Sequence, residues 1–327
     1  MPATSAAPIL VVGDVFDDLI VTPHGEVRPD TDTTASIERR DGGSAANAAA
    51  WFAASGHPVR FFGTVNRIDV DRHTASLAEA GVTAVLAPSE LPTGTIVVIL
   101  QDERTRTMLT ERGANAVTSA ADVDPGLLVA GAHLHLTGYT LFNGGDEPTV
   151  DRGVHEFATL IGCARAAGAS VSVNPGSAGF LLDHGVDDLL EATDGATVVL
   201  PNLDEGRVLT GEEEPERIVA ALLQRYEVVA LTQGRNGVLA GARSGARAEA
   251  PAVLVDPVDT TGAGDAFGAA FVSSLLGDGS QQLVGRRVDE GALRAAAEEG
   301  VRASSRAVTR LGARPPASGT PRAEAVR

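Results

Sequence analysis

The sequence predicts an α/β fold with a mostly parallel sheet covered by helices on both faces, and three observations carry that expectation. Short apolar, β-rich runs recur along the 327 residues, and Ala-rich stretches with helical spacing lie between many of them. The apolar fraction, 43% against 21% charged, is that of a globular chain. In order, the candidate strands are 9–12, 59–62, 96–100, 133–136, 170–173, 197–200, 228–231 and 253–255, and the candidate helices include 45–55, 74–80, 156–167 and 215–226.

Two stretches break the rhythm. Residues 19–40 carry Thr, Asp and Arg in extended patterns, and 95–112 reads as a hairpin around Gln101-Asp102-Glu103-Arg104. Both fit strands lying off the main sheet and covering a site, and both equally fit plain surface hairpins. After Gly312 the apolar periodicity stops and the tail reads as disordered. A single domain is therefore expected over 1–314, with strands set apart over about 19–41 and 93–112 and a loose tail at 315–327.

Composition removes several functions. The chain has 26 Arg and no lysine against 43 Asp plus Glu, a formal charge of −17. Such a surface repels phosphate backbones and anionic lipid, so neither nucleic acid nor membrane is an expected partner. Without lysine there is no Schiff-base chemistry and no Walker-type phosphate loop. The single cysteine, Cys163, excludes an intramolecular disulfide and a cysteine-based zinc cluster, and its apolar neighbours predict a buried thiol. Residues 1–8 lack the basic start of a leader and no apolar run reaches about 18 residues, which predicts a cytoplasmic location.

The most informative segment is 256–271, DPVDTTGAGDAFGAAF. Apolar positions from Ala263 onward follow helical spacing, so a helix opens near Gly262 with Thr260 or Thr261 as its cap. Gly262 and Gly264 leave the first-turn N–H groups open to a closely approaching anion, which the helix dipole favours. Asp265 falls in that first turn as an exposed, ionised carboxylate. Beside a phosphate it has a use as the base that takes a proton from an attacking hydroxyl; the plainer reading is an acidic residue favoured by the dipole. The spacing fails the dinucleotide fingerprint, since Phe267 stands where the third glycine belongs. A second glycine pair, Gly42-Gly43, begins another helix, and the amide of Asn47 in its first turn suits a hydroxyl-rich ligand. His133 and His135 share a strand face but have no third metal ligand nearby, and Trp51 reads as a core residue.

These two motifs, in this order and about 220 residues apart, resemble the PfkB, or ribokinase-like, family of carbohydrate kinases. Asp259-Thr260-Thr261-Gly262-Ala263-Gly264-Asp265 matches the family's D-T-x-G-A-G-D signature at every fixed position. Further matches are 13–18, Pro92-Thr93-Gly94, Gly113-Ala114-Asn115, Pro201-Asn202-Leu203-Asp204-Glu205, 232–237 and 309–313, so the resemblance covers about 9–314. It implies a ribokinase-like three-layer sandwich with a mostly parallel central sheet and a small β-strand lid. It also implies an ATP-dependent enzyme that phosphorylates a primary hydroxyl of a sugar or sugar-like molecule, with Mg²⁺ and in many members K⁺.

On that resemblance Asp265 looks like the catalytic base, and Gly262, Ala263 and Gly264 look like the anion hole. Asp18, Gly42, Gly43 and Asn47 look like sugar contacts, and Arg112, just before Gly113-Ala114-Asn115, is a candidate for a substrate anion or a solvated surface residue. Asn202 and Glu205 resemble an N-x-x-E motif that organises Mg²⁺ through water, with a plain helix cap as the other reading. Thr232, Gly234 and Gly237 look like part of the nucleotide site, and Asp259 and Thr261 occupy positions that in many members hold a monovalent cation. Two departures stand out: Val65-Asn66-Arg67-Ile68 replaces the common Val-Gly-x-Asp, with Asp69 nearby, and Ser44 stands where ribokinases proper commonly carry Lys. A nucleoside kinase is the nearest rival, disfavoured by an aromatic content of 4%. A non-catalytic sugar- or nucleotide-binding regulator is a rival of another class, and an exposed lid strand is expected to allow a homodimer.

Overall fold

The computed structural model describes residues 7–100, 106–142, 147–277 and 283–316. The strands are β1 (Ile9–Val12), β2 (Phe16–Pro23), β3 (Ala35–Gly42), β4 (Val59–Asn66), β5 (Val82–Ser89), β6 (Thr95–Leu100), β7 (Arg106–Glu111), β8 (His133–Thr137), β9 (Ser170–Asn174), β10 (Val198–Val199), β11 (Val228–Thr232), β12 (Val238–Ala242) and β13 (Arg247–Ala250). The α-helices are α1 (Ser44–Ala54), α2 (Val70–Glu79), α3 (Gly138–Leu141), α4 (Glu147–Ala166), α5 (Ala178–His184), α6 (Val186–Ala192), α7 (Leu203–Thr210), α8 (Pro215–Leu222), α9 (Ala263–Leu276) and α10 (Glu290–Val308).

Nine strands form one sheet in the order β13-β12-β11-β10-β9-β8-β1-β4-β5. Its pairs are parallel except β11–β12 and β12–β13. Alternation along β1 separates two cores. Ile9 and Val11 face α1, α2, α9 and α10, whereas Leu10 and Val12 face α4 through α8. Continuous apolar strands such as Leu10 to Val12, wholly buried, are what a sheet covered on both faces requires. The expected α/β sandwich is therefore the observed one.

The two irregular stretches combine into a second, four-stranded sheet, β3-β2-β6-β7. β2 pairs antiparallel with β3 and parallel with β6, and β6 pairs antiparallel with β7. They are thus one sheet and not two separate hairpins; the expected turn at Gln101 to Arg104 lies outside the described residues.

Three expectations fail locally. Residues 253–255 form no strand, and Leu254 is 82% exposed, because β13 ends at Ala250 and the chain leaves the sheet edge. Cys163 is exposed: Ile161 and Ala164 take the buried face of α4 and turn the thiol to solvent. The chain after Gly312 does not at once become tail, since Ala313 is buried and Trp51 Nε1 donates to its carbonyl at 2.9 Å. Trp51 itself is in the core as expected. His133 and His135 are core residues, bonded at 2.7–2.8 Å to the hydroxyls of Ser170 and Ser172, and burial drives both imidazoles toward the neutral form.

Candidate active site

In a sheet of this kind ligands bind outside the carboxyl ends of the parallel strands, at the point where strand order reverses. Here β1 lies between β4 and β8, so the reversal falls beside β1. β1 leads through Gly13 into β2, which carries Asp18; Asn202 follows β10; and β11 ends at Thr232 before the turn with Gly234 and Gly237. The crossing of β2 and β3 adds Gly42 and Gly43, and the start of α9 adds the glycine turn.

Asp265 sits in the first turn of α9, but it is not exposed as the sequence suggested. α1 packs against α9 and leaves it 8% accessible. Ser44 Oγ donates to Oδ1 at 2.6 Å and Asn47 Nδ2 to Oδ2 at 3.3 Å. Burial raises the carboxyl to about 6 even though both hydrogen bonds pull it down. Ser44, noted in the sequence only as a departure, is therefore the residue that aims this carboxylate. Asn47 is buried and its amide nitrogen belongs to Asp265 rather than to a solvent-facing ligand site.

The cap of α9 is Gly262, not Thr260 or Thr261. Its φ of +75° is left-handed, and a Cβ there would lie 2.5 Å from Cβ of Ala313. Thr261 is instead held by Asp259, whose Oδ1 accepts from its backbone N at 2.9 Å and its hydroxyl at 2.6 Å, while Oδ2 accepts from Gly312 N at 3.1 Å. Asp259 thus ties the glycine turn to the segment after α10. Nothing but a distant amide of Asn174, 3.8 Å away, would meet a side chain at Gly264, so that part of the turn is open.

On the other side of the site, Asp18 is paired in register with Arg40 and Ile96. Its carboxylate fills the space beside Gly42, where any Cβ would collide with it. Burial raises Asp18 to about 7; Arg314 opposes the shift, and Asp17, Asp259 and Asp41 add to it. Arg314 is half-buried, donating to Ser76 Oγ at 2.8 Å and toward the carbonyl of Gly42 at 3.4 Å. Gly43 follows in the same turn with φ +101°.

Arg112 is 26% exposed and ion-paired within the chain. Its Nη2 donates at 3.0 Å to Asp14 Oδ1 and at 3.0 Å to the carbonyl of Tyr139. Asp14 is 1% exposed; burial raises its carboxyl and Arg112 draws it back. Sequence reasoning passed over Asp14, Ser44 and Arg314, although Asp14 directly follows Gly13 in a quoted match. Asp69, near the missing Val-Gly-x-Asp, accepts from Thr93 Oγ1 at 2.6 Å and Arg72 at 2.9 Å, a structural tie at the start of α2.

Asn202 and Glu205 form a reciprocal cap on α7: Asn202 Oδ1 accepts from Glu205 N at 2.9 Å and Glu205 Oε2 from Asn202 N at 2.9 Å. Asn202 Nδ2 also donates to Glu205 Oε1. Glu205 is raised to about 8, by burial first and then by the charges of Asp204 and Asp265, against the pull of the Asn202 backbone. Thr232 ends β11, bridged to Asn202, and Gly234 and Gly237 shape the short turn into β12. The start of α1 holds Asp265 through Ser44 and Asn47, and the charge of Asp265 is felt at Glu205 in the cap of α7, so these two elements meet beside the glycine turn. Among the described residues no helix is long and apolar enough to cross a membrane.

Comparison with known proteins bears on the family and the fold. A family model described as pfkB family carbohydrate kinase matches residues 6–319. A fructokinase from Klebsiella pneumoniae is 30% identical over 282 residues, 83% of this chain and 85% of that one. An ATP-dependent ribose-1-phosphate kinase from Halopiger xanaduensis is 29% identical over 287 residues, 83% and 86% of the two chains. Among solved structures, a probable sugar kinase from Rhizobium etli CFN 42 superposes with a TM-score of 0.78 over 95% of this chain and 96% of that one at 21% identity, a likeness of fold.

Proposed function

Because the chain belongs to the pfkB family of carbohydrate kinases, we propose that it transfers the γ-phosphoryl group of ATP to a primary hydroxyl of a sugar or sugar-like substrate, with Asp265 as the base. The observation that carries this reading is a carboxylate aimed by Ser44 and Asn47 and raised to about 6, set in the first turn of a helix whose cap is a left-handed glycine. A base that titrates near neutrality is ionised at working pH yet still holds a proton well.

Asp265 accepts the proton as the hydroxyl oxygen bonds to the γ-phosphorus and the bond to the bridging oxygen of ADP breaks. The N–H groups of Gly262, Ala263 and Gly264 stabilise the charge on the transferred group. The sugar lies against Asp18, Gly42, Gly43, Arg112 and the Oδ1 of Asn47 that Asp265 leaves unengaged, and the nucleotide against Asn202, Thr232, Gly234 and Gly237. Closure of the small sheet over both excludes water, which would otherwise take the phosphoryl group.

A divalent cation fits this site: Glu205 is a buried acid whose carboxyl is pushed up by burial first and then by the neighbouring charges of Asp204 and Asp265. Glu205, by way of water, is the residue to hold Mg²⁺, which supplies charge neutralisation on the phosphates. Asp259 and Thr261 engage each other and Gly312, and we derive no role for K⁺ from them. A reaction that draws on ATP fits the cytoplasmic location the sequence predicts.

The test is ADP release with Mg²⁺-ATP over ribose, fructose, 2-keto-3-deoxygluconate, fructose phosphates, adenosine and pseudouridine. Turnover on one compound that falls about 10²- to 10⁴-fold in Asp265→Asn is the expected result. Turnover that survives the substitution removes Asp265 as base.

A further inference from the structure

At the end of the sheet away from the glycine turn, a cavity of about 370 Å³ opens between the start of β11 and the segment joining α9 to α10. β11 begins beside it at Val228 and ends at Thr232 in the site already described, so the two places lie at opposite ends of one strand. The charge of its lining inverts that of the chain. Three guanidinium groups, Arg243, Arg286 and Arg287, stand there with one carboxylate, Glu227, whereas the whole sequence sets 26 arginines against 43 acids.

The walls are fixed from within the protein. Ser244 Oγ donates to the Val288 carbonyl at 2.6 Å and so joins the end of β12 to the segment before α10. Leu283 and Val288 are buried and close the cavity from beneath. Arg243 Nε donates to the Leu223 carbonyl at 3.2 Å, and Arg286 Nη1 to the Leu275 carbonyl at 2.9 Å. A carbonyl orients a guanidinium without neutralising it. Among the described residues neither Arg243 nor Arg287 forms an ion pair. Like charges gathered at one cavity repel each other unless an anion lies between them, and phosphoryl transfer at the other end of β11 has no use for them.

We propose that this cavity is a second ligand site, separate from the catalytic one, which takes a small organic oxyanion bearing phosphate or carboxylate groups. The guanidinium fork suits both kinds of group. The volume exceeds what a single inorganic ion fills and falls in the range of small-molecule sites, about 300–1,000 Å³. The site stands whether or not the kinase reading does, since it shares no residue with it.

Pyrophosphate, fructose 1,6-bisphosphate and citrate, titrated separately into the whole chain at fixed ionic strength, test it by heat of binding and by the rise in melting temperature. A phosphate group also suits the glycine turn, so each titration is repeated on two variants. Arg243→Ser/Arg287→Ser strips the cavity, and Arg294→Ser/Arg302→Ser removes the same charge from exposed positions on α10. At least one of the three anions is expected to bind the wild type below about 5 mM and to bind the cavity variant about 10-fold or more weakly, with the α10 variant like the wild type. Which anion binds tells phosphate from carboxylate. Arg287→Ser alone, a change to one exposed side chain, takes the place of the double variant if that chain does not fold. No binding of any of the three by that concentration overturns the proposal. So does binding that the cavity variant leaves unchanged, which belongs to the catalytic site, and so does an equal loss in the α10 variant, which reports overall charge.

Discussion

At the scale of the residue, Asp265 couples catalysis to stability with a definite sign. Its carboxyl titrates at about 6 in the folded chain, against an ordinary 3.8. The folded state therefore holds this proton more tightly than the unfolded one. The stability the proton contributes is complete below pH 3.8 and is lost as pH rises through about 6. The shift corresponds to roughly 3 kcal/mol at pH 8. Asp265→Asn, uncharged throughout, is expected to melt a few degrees above the wild type at pH 8, with the gap closing near pH 4, as calorimetry at the two pH values would read. In the same range kcat/KM of the wild type is expected to climb through a limb near pH 6 and level off above it, the profile of a base that must be ionised. A pH–rate profile flat between 5 and 8 would contradict that assignment. Gly42 offers a second check. A methyl group there collides with the Asp18 carboxylate, so Gly42→Ala should raise KM for the sugar about 10-fold or more while leaving KM for ATP near its original value.

At the scale of the element, the start of α9 shows what sequence pattern can and cannot reveal. The helix, its glycines and the place of Asp265 were all legible in the spacing from Gly262 to Phe271. The burial of Asp265 was not, because it comes from α1, whose contact with α9 joins residues 221 positions apart. Ala-rich composition on both helices is the only local hint of such close packing. The cap was misread for a related reason. Thr260 and Thr261 are good caps in isolation, but Asp259 captures Thr261 and the turn passes to Gly262. Likewise Ala313 and Arg314 look like tail because no periodicity surrounds them; they are fixed by long-range bonds, Ala313 to Trp51 and Arg314 to Ser76 and Gly42. Gly262→Ala should therefore do double damage, adding a strained left-handed φ and a clash with Ala313. A loss of about 1–3 kcal/mol in denaturant unfolding and a lower kcat are expected.

At the scale of the whole molecule, the alternation of apolar runs with helical stretches was enough to give the α/β sandwich, whereas the small sheet required pairings no local pattern contains. β2 meets β6 across some 80 residues. Beside the charged Asp17, Arg39 and Asp41, that sheet presents Leu19, Val21, Ile37, Val97, Ile99 and Leu109 on the face opposite Asp18, with Ile37 66% and Leu109 56% exposed. An apolar face of this size on a chain of charge −17 suits a second copy turned face to face, pairing apolar residues and keeping the acidic surfaces apart. Equilibrium sedimentation is expected to give twice the 33.4 kDa chain mass, and Ile37→Glu with Leu109→Glu to return it to one. A wild-type mass of one chain at high concentration rejects the dimer.

The bond from Trp51 to the Ala313 carbonyl has a consequence for observing the protein at work. Trp51 is the single indole in the chain, so its ultraviolet emission comes from one place, a buried ring whose N–H is fastened next to the glycine turn. Any ligand that shifts that turn alters the polarity around one fluorophore with no competing signal. The polypeptide thus contains its own optical gauge of occupancy, readable in a stopped-flow cell without a label.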